Sequence, residues 1–277
     1  MKYLILFAVV IYLNTGCQPI NRPAQKEHPV PEIKVPFIRV MGIAQDAGFP
    51  QAACQKSCCK GVWKDYRLRE KVSCLAIVDP ISNQGWLLDA TPDFKDQLAD
   101  IQNLYPDRSI DLAGILLTHG HIGHYTGLMH LGKEAMGAED IPVFAMPRMS
   151  EFLKSNGPWS QLVELDNIDL YQLKNDSAIV LNDRIDITPV AVPHRDEFSE
   201  TVGFVVSVKE SKALFIPDID KWQLWDRDIL DLIRAVDVAY LDGTFYENGE
   251  IPGRDMSQIP HPFMEESMAL FKNLPPS

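Results

Sequence analysis

Three histidines stand within six residues, in Thr118-His119-Gly120-His121-Ile122-Gly123-His124, and the apolar run Ile115-Leu116-Leu117 leads straight into them. That run reads as a short buried strand over residues 113–117. A buried strand that ends in a polar loop puts the loop at the rim of a sheet. There it can aim several imidazoles at one point while the strand fixes their base. Neutral imidazole is the commonest protein ligand for metal ions. Chance is a poor account of the run, because the whole chain holds only seven histidines. The chain is therefore expected to build a sheet with a metal centre at its edge.

The remaining pattern alternates. Residues 37–44, 73–78, 86–89, 141–146 and 238–241 read as strands, and 179–192 and 201–216 as long β stretches separated by a polar loop. Thr91-Pro92 opens a helix, with Pro at its first position. Phe94, Leu98, Ile101 and Tyr105 then recur at helical spacing until Pro106. Residues 125–136, 148–154, 224–235 and 263–271 read as further helices. Mixed β structure with interspersed helices implies an α/β architecture of sheets covered by helices. Two more polar residues follow β runs: His194, after residues 188–192, and Asp218, after residues 214–217.

Together these residues resemble the metallo-β-lactamase fold. His119, His121 and His124 are similar to its His-x-His-x-Asp-His signature, His194 to its next histidine, and Asp218 to its metal-bridging aspartate. Residues 42–50 (Gly-Ile-Ala-Gln-Asp-Ala-Gly-Phe-Pro) and 241–245 (Leu-Asp-Gly-Thr-Phe) resemble the branch of pyrroloquinoline-quinone biosynthesis protein B and related phosphodiesterases. The resemblance implies an αββα sandwich. It also implies a first metal site of His119, His121 and His194, with Asp218 shared. Zinc is the family's usual metal, one or two ions in the catalytic pocket, with iron open. Three His plus an open position is a catalytic arrangement. The implied activity is hydrolysis of a small ester, lactone or phosphodiester by metal-bound hydroxide. The alternatives are a metal oxidase of the quinone-biosynthesis type and a non-catalytic metal-binding protein. Arg195-Asp196-Glu197 and Asp46 stand where they could line the pocket or be solvated loop charge.

Two departures from the signature bear on the second metal. Gly123 stands where the family has a ligating Asp. The chain also ends at Ser277, where relatives continue into a further strand and a metal-binding His, so the expected sandwich lacks its last strand and the sequence reads as truncated. The second site is left with His124 and Asp218, and His261 as a helper. A weak second metal or a one-metal centre is expected, and Gly123→Asp is expected to raise second-metal occupancy. In the phosphodiesterase branch a His before a short helix with Glu nearby assists as general acid, which makes His261 a candidate catalytic residue beside Asp218, which the resemblance implies bridges and orients the metals. The bland reading of His261 is a helix-start histidine.

Cys54, Cys58 and Cys59 resemble, with a shifted middle position, three cysteines that hold a structural zinc in some relatives. Thiolates suit zinc, and a disulfide is the alternative in an exported chain. Cys74, in an apolar strand, reads as a core thiol.

Residues 1–16 read as a signal peptide: Met-Lys, an apolar run, then small residues before Cys17. The run is short for a membrane span. The segment resembles a bacterial lipobox, with Asn14 where Leu is usual. Lipidation of Cys17 is expected, and with it an exported protein tethered to the membrane of the cell envelope. Five prolines make residues 17–36 an extended tether, leaving residues 37–277 as the folded domain. Cleavage removes Lys2, so the net charge goes from −12 to −13 (25 minus 38). That balance argues against a nucleic-acid partner, which needs clustered Lys and Arg. A small-molecule substrate is expected instead.

Overall fold

No water-facing side exists on the strand Cys74–Asp79, where all six side chains are buried. A strand buried on both faces needs a layer on each, and the computed structural model supplies them. It describes residues 33–272 and residue 274. The expected signal peptide, Cys17 and most of the expected tether lie outside the described residues. In chain order the elements are β1 (Phe37–Gly42), α1 (Ser57–Lys60), β2 (Cys74–Asp79), β3 (Gln84–Leu88), α2 (Phe94–Gln102), β4 (Asp111–Leu116), α3 (Ile122–Tyr125), β5 (Ile141–Ala145), α4 (Pro147–Ser155) and α5 (Trp159–Glu164). They continue with β6 (Ile168–Gln172), β7 (Ile179–Asn182), β8 (Ile185–Ala191), β9 (Val202–Val208), β10 (Ser211–Ile216), α6 (Ile229–Arg234), β11 (Val238–Leu241) and α7 (Met264–Phe271).

Among the described residues one sheet has the order β1-β2-β3-β4-β5-β6, and a second runs β11-β10-β9-β8-β7. The strands β3 to β6 are parallel to one another. Their connections therefore cross over the sheet face, which brings α2, α4 and α5 onto it. Alternation along β2 sorts the core. Ala76 and Val78 pack with Phe94, Leu98 and Ile101 of α2. Leu75 and Ile77 pack, with Trp86 and Leu116, against Ile187, Phe204 and Phe215 of the second sheet. On that sheet's far face Leu214 and Ile216 meet Trp222, Trp225 and Ile229. The result is an αββα sandwich. No helix among the described residues is long and apolar enough to cross a membrane.

Several boundaries differ from the sequence reading. The helix expected over residues 125–136 is instead the four-residue α3 and a 3-10 turn over Thr126–Leu131. Gly127 explains part of this: a Cβ there would lie 2.6 Å from the Phe94 Cβ and 2.9 Å from the Ala90 carbonyl carbon, so the chain runs flush against α2. The two long β stretches are each a hairpin, β7–β8 and β9–β10. The expected helix 224–235 is a 3-10 turn, Trp222–Leu224, followed by α6. Three elements escaped the sequence reading: α1, α5 and β6. The last is an edge strand with one fully buried side chain, so it lacks an apolar signal.

Candidate metal centre

The polar residues that follow five strands meet at one edge of the sandwich. His119 and His121 follow β4, His194 follows β8, Asp218 follows β10, Asp89 follows β3 and Asp242 follows β11. His119, His121, His194 and Asp218 each bring a donor atom within 4.8 Å of the others. His119 Nε2 lies 2.9 Å from His121 Nδ1 and 3.2 Å from Asp218 Oδ2, and His194 Nε2 lies 3.8 Å from the same oxygen.

Hydrogen bonds behind the rings fix which nitrogen faces inward. Asp89 is fully buried. Its Oδ1 accepts from the Thr118 backbone N–H at 2.7 Å, and its Oδ2 accepts from the Thr118 hydroxyl at 2.9 Å and from His124 Nδ1 at 2.7 Å. With its proton given to Asp89, the Thr118 hydroxyl accepts from His119 Nδ1 at 3.0 Å. Asp220 accepts from His194 Nδ1 at 3.1 Å. His119, His124 and His194 therefore carry their outer proton on Nδ1 and turn Nε2 to the centre, the arrangement that metal-binding histidines need. His121 turns Nδ1 inward, with Glu197 Oε2 3.5 Å from its outer nitrogen. The inner donors suit a divalent cation on chemical grounds: imidazole nitrogens plus a carboxylate, backed by acceptors.

Burial and neighbouring charge set the protonation: they keep His119 neutral, while at His124 burial is overcome by Asp89 and Asp218, which raise the pKa well above its ordinary value. Burial, reinforced by the charge of His124, pushes the His119 pKa down to about 3, keeping its ring neutral. Burial also lowers His194, against the pull of Asp218. Burial alone would raise Asp218, but the positive charge on His124 beside it holds it well below the usual carboxylate range.

His124 sits beside this group, not within it. Its Nε2 is 3.1 Å from Asp46 Oδ1 and 3.2 Å from Asp218 Oδ2, and Asp46, His124 and Asp218 form a second set of converging donors. His261 joins from the other side: its Nδ1 donates to Asp242 Oδ2 at 2.6 Å, and its ring centroid is 5.2 Å from that of His194. Asp242 is held by Thr244, through its N–H at 2.9 Å and its hydroxyl at 2.7 Å. Burial opposes charge on His261, but Asp242, Asp218 and Asp220 outweigh it and raise the pKa. A cavity of 350 Å³ opens onto the group, lined among others by Asp46, His121, His194, Arg195, Arg254 and His261. Asp196 instead turns away to pair with Arg148.

Cys54, Cys58 and Cys59 also converge, with all three sulfurs within 4.8 Å, and they line a different cavity with Phe49 and Glu70. No disulfide joins them among the described residues. Cys74 is fully buried. The sequence reading assigned no role to Asp89 or Asp242. Both directly follow strands, as Asp218 nearly does, and that position was the available signal.

A model of the Beta-lactamase superfamily domain matches residues 86–277. The coenzyme PQQ synthesis protein B of Pseudomonas protegens is 28% identical over 239 residues, covering 79% of this chain and 76% of that protein. Zinc-bound PqqB from Methylobacterium extorquens superposes with a TM-score of 0.68 at 21% identity, over 82% of this chain and 81% of that one. A diphosphatase of the PhnP family does so with a TM-score of 0.59 at 20% identity, over 86% and 83%.

Proposed function

The chain belongs to the beta-lactamase superfamily, and from that premise we propose that it is a metal-dependent hydrolase of a small anionic ester, with a phosphodiester the best-fitting class. Fold alone does not select a substrate. The observation that carries the choice is that two arginines, Arg195 and Arg254, line the cavity above the histidine cluster. In a chain of net charge −12 Arg195 and Arg254 offset Asp46 and Asp218, which line the same cavity, so a divalent ion held there would leave the opening positive and favour an anion. His119 Nε2, His121 Nδ1, His194 Nε2 and Asp218 are the proposed ligands of zinc. A divalent ion there supplies Lewis acidity and lowers the pKa of water it binds to about 7.

The chain's own groups do the rest. Arg195 and Arg254 orient the phosphoryl oxygens. Asp218 stays ionised. His261, fixed through Nδ1 by Asp242, holds a proton on Nε2 for the departing alkoxide. Cys54, Cys58 and Cys59 form a separate proposed zinc site with a structural role.

Hydrolysis of bis(p-nitrophenyl) phosphate by the zinc-loaded protein tests the reading. His119→Ala and His194→Ala should each lower bound metal and cut kcat/KM by roughly a hundredfold or more. Full metal retention by either variant would sink the ligand assignment. The likeness to proteins named for coenzyme PQQ synthesis supports a second reading, metal-dependent oxidation with iron. Substrate-dependent oxygen uptake without ester turnover would favour it.

A further inference from the structure

We propose that Asp46, on the loop after β1, supplies the carboxylate that Gly123 lacks, so that Asp46, His124 and Asp218 hold a second divalent cation beside the first. The inference rests on the reading of His119, His121, His194 and Asp218 as a metal site, because Asp218 is common to both sets.

The absent side chain at position 123 and the present one at 46 compete for the same space. A Cβ built on Gly123 would lie 2.6 Å from Asp46 Cγ and 2.8 Å from Asp46 Cα. Both distances are too short for carbons that are not bonded to each other, so the Asp46 carboxyl and its backbone occupy the room that a side chain at 123 would need. The loop is held there. Ile43 and Ala44 both donate to the Lys71 carbonyl at 2.9 Å, Ser73 donates back to the Ala44 carbonyl at 2.8 Å, and Gly48 closes a turn onto Gln45 at 2.8 Å. Asp46 thus reaches the centre on a braced backbone.

The donors then fall into place. Asp89 fixes His124 through Nδ1, which aims Nε2 between Asp46 Oδ1 at 3.1 Å and Asp218 Oδ2 at 3.2 Å. Asp218 Oδ2 is also 3.2 Å from His119 Nε2, so one carboxylate stands between the two donor sets. Two carboxylates and one imidazole suit a divalent cation that accepts oxygen ligands. The bland alternative is that Asp46 only hydrogen-bonds His124. An Asn at 46 separates the two, since its amide oxygen still accepts from His124 but brings no charge to an ion.

Manganese(II) is the probe, because it favours oxygen and imidazole and leaves the Cys54, Cys58 and Cys59 thiolates aside. The full-length chain, stripped of its catalytic metal, should take up two equivalents in titration calorimetry. Asp46→Asn should lose the weaker equivalent, its dissociation constant rising by roughly a hundredfold or more. Gly123→Asp, which restores the family signature, should act in the same direction, because its side chain displaces the Asp46 loop. Gly123→Ala should do so without removing any donor. Circular dichroism confirms that each variant is folded. Two tight equivalents in folded Asp46→Asn, a gain of occupancy in Gly123→Asp, or a single equivalent in the parent would each overturn the proposal. If His119→Ala leaves the first equivalent untouched, the underlying first-site reading fails and this inference falls with it.

Discussion

Asp89 shows how one side chain can govern a site that it does not face. Its carboxylate takes three hydrogen bonds, two from Thr118 and one from His124, with no exposure to water. Its backbone sits at φ 76°, a region that Asp tolerates better than most residues. Asp89→Ala would leave a buried N–H, a hydroxyl and an imidazole without their acceptor. Unfolding free energy measured in urea with chelator present should fall by about 2–4 kcal/mol. Metal affinity should fall by roughly 10- to 100-fold, as for other groups that orient ligands. An unchanged affinity in the folded variant would show that His124 needs no such support. Asp89 also marks what a sequence reveals. His119, His121 and His124 were legible because they cluster within six residues and histidine is rare in the chain. Asp46 was legible only as a residue that could line the pocket, and Asp89 and Asp242 had no assigned role, because each is one of 38 acidic residues and gains meaning only when distant loops meet. Gly123 alone predicts a weak second site, whereas the proposal for Asp46 predicts an occupied one. The carboxylate that fills that space lies 77 positions earlier in the chain.

At the scale of elements, apolar runs revealed most strands of both sheets but not the turns that split them. The hairpin between β7 and β8 is the clearest case, and its turn does specific work. Arg184 Nε donates to Asp79 Oδ2 at 2.7 Å and Asn182 Nδ2 donates to the same oxygen at 2.9 Å, joining the end of β2 to the second sheet. Asp79 Oδ1 accepts from the Ile81 N–H at 2.9 Å. Burial works against the charge on Asp79, but these bonds prevail and its pKa is lowered. A carboxyl lowered in the folded state adds stability that is full above its unfolded pKa of about 3.9 and fades as pH falls through the folded value. Asp79→Ala should therefore cost about 2–4 kcal/mol at pH 7, since it strands a partly buried guanidinium. The gap to the parent should narrow below pH ~4. Equal stability of the two proteins at pH 7 in guanidinium titrations would remove the tie between sheets from the account.

For the whole molecule, the proposed lipid on Cys17 is the attachment that remains to be tested. Cys17→Ser should move the protein from the membrane pellet to the soluble fraction of cells expressing it. A variant that still pellets would leave the proposed anchor without support. The folded part carries a different kind of attachment. Donors of the proposed centre come from loops after β1 and β4 of one sheet and after β8 and β10 of the other. An ion gripped from both sides acts as a rivet through the sandwich. Prising the layers apart then requires ejecting it, and the work of opening rises with the logarithm of the free-ion concentration, by about 4 kcal/mol at a thousand times the dissociation constant. Starved of metal, such a chain opens more often and meets proteases sooner, so its lifetime becomes a gauge of the supply around it.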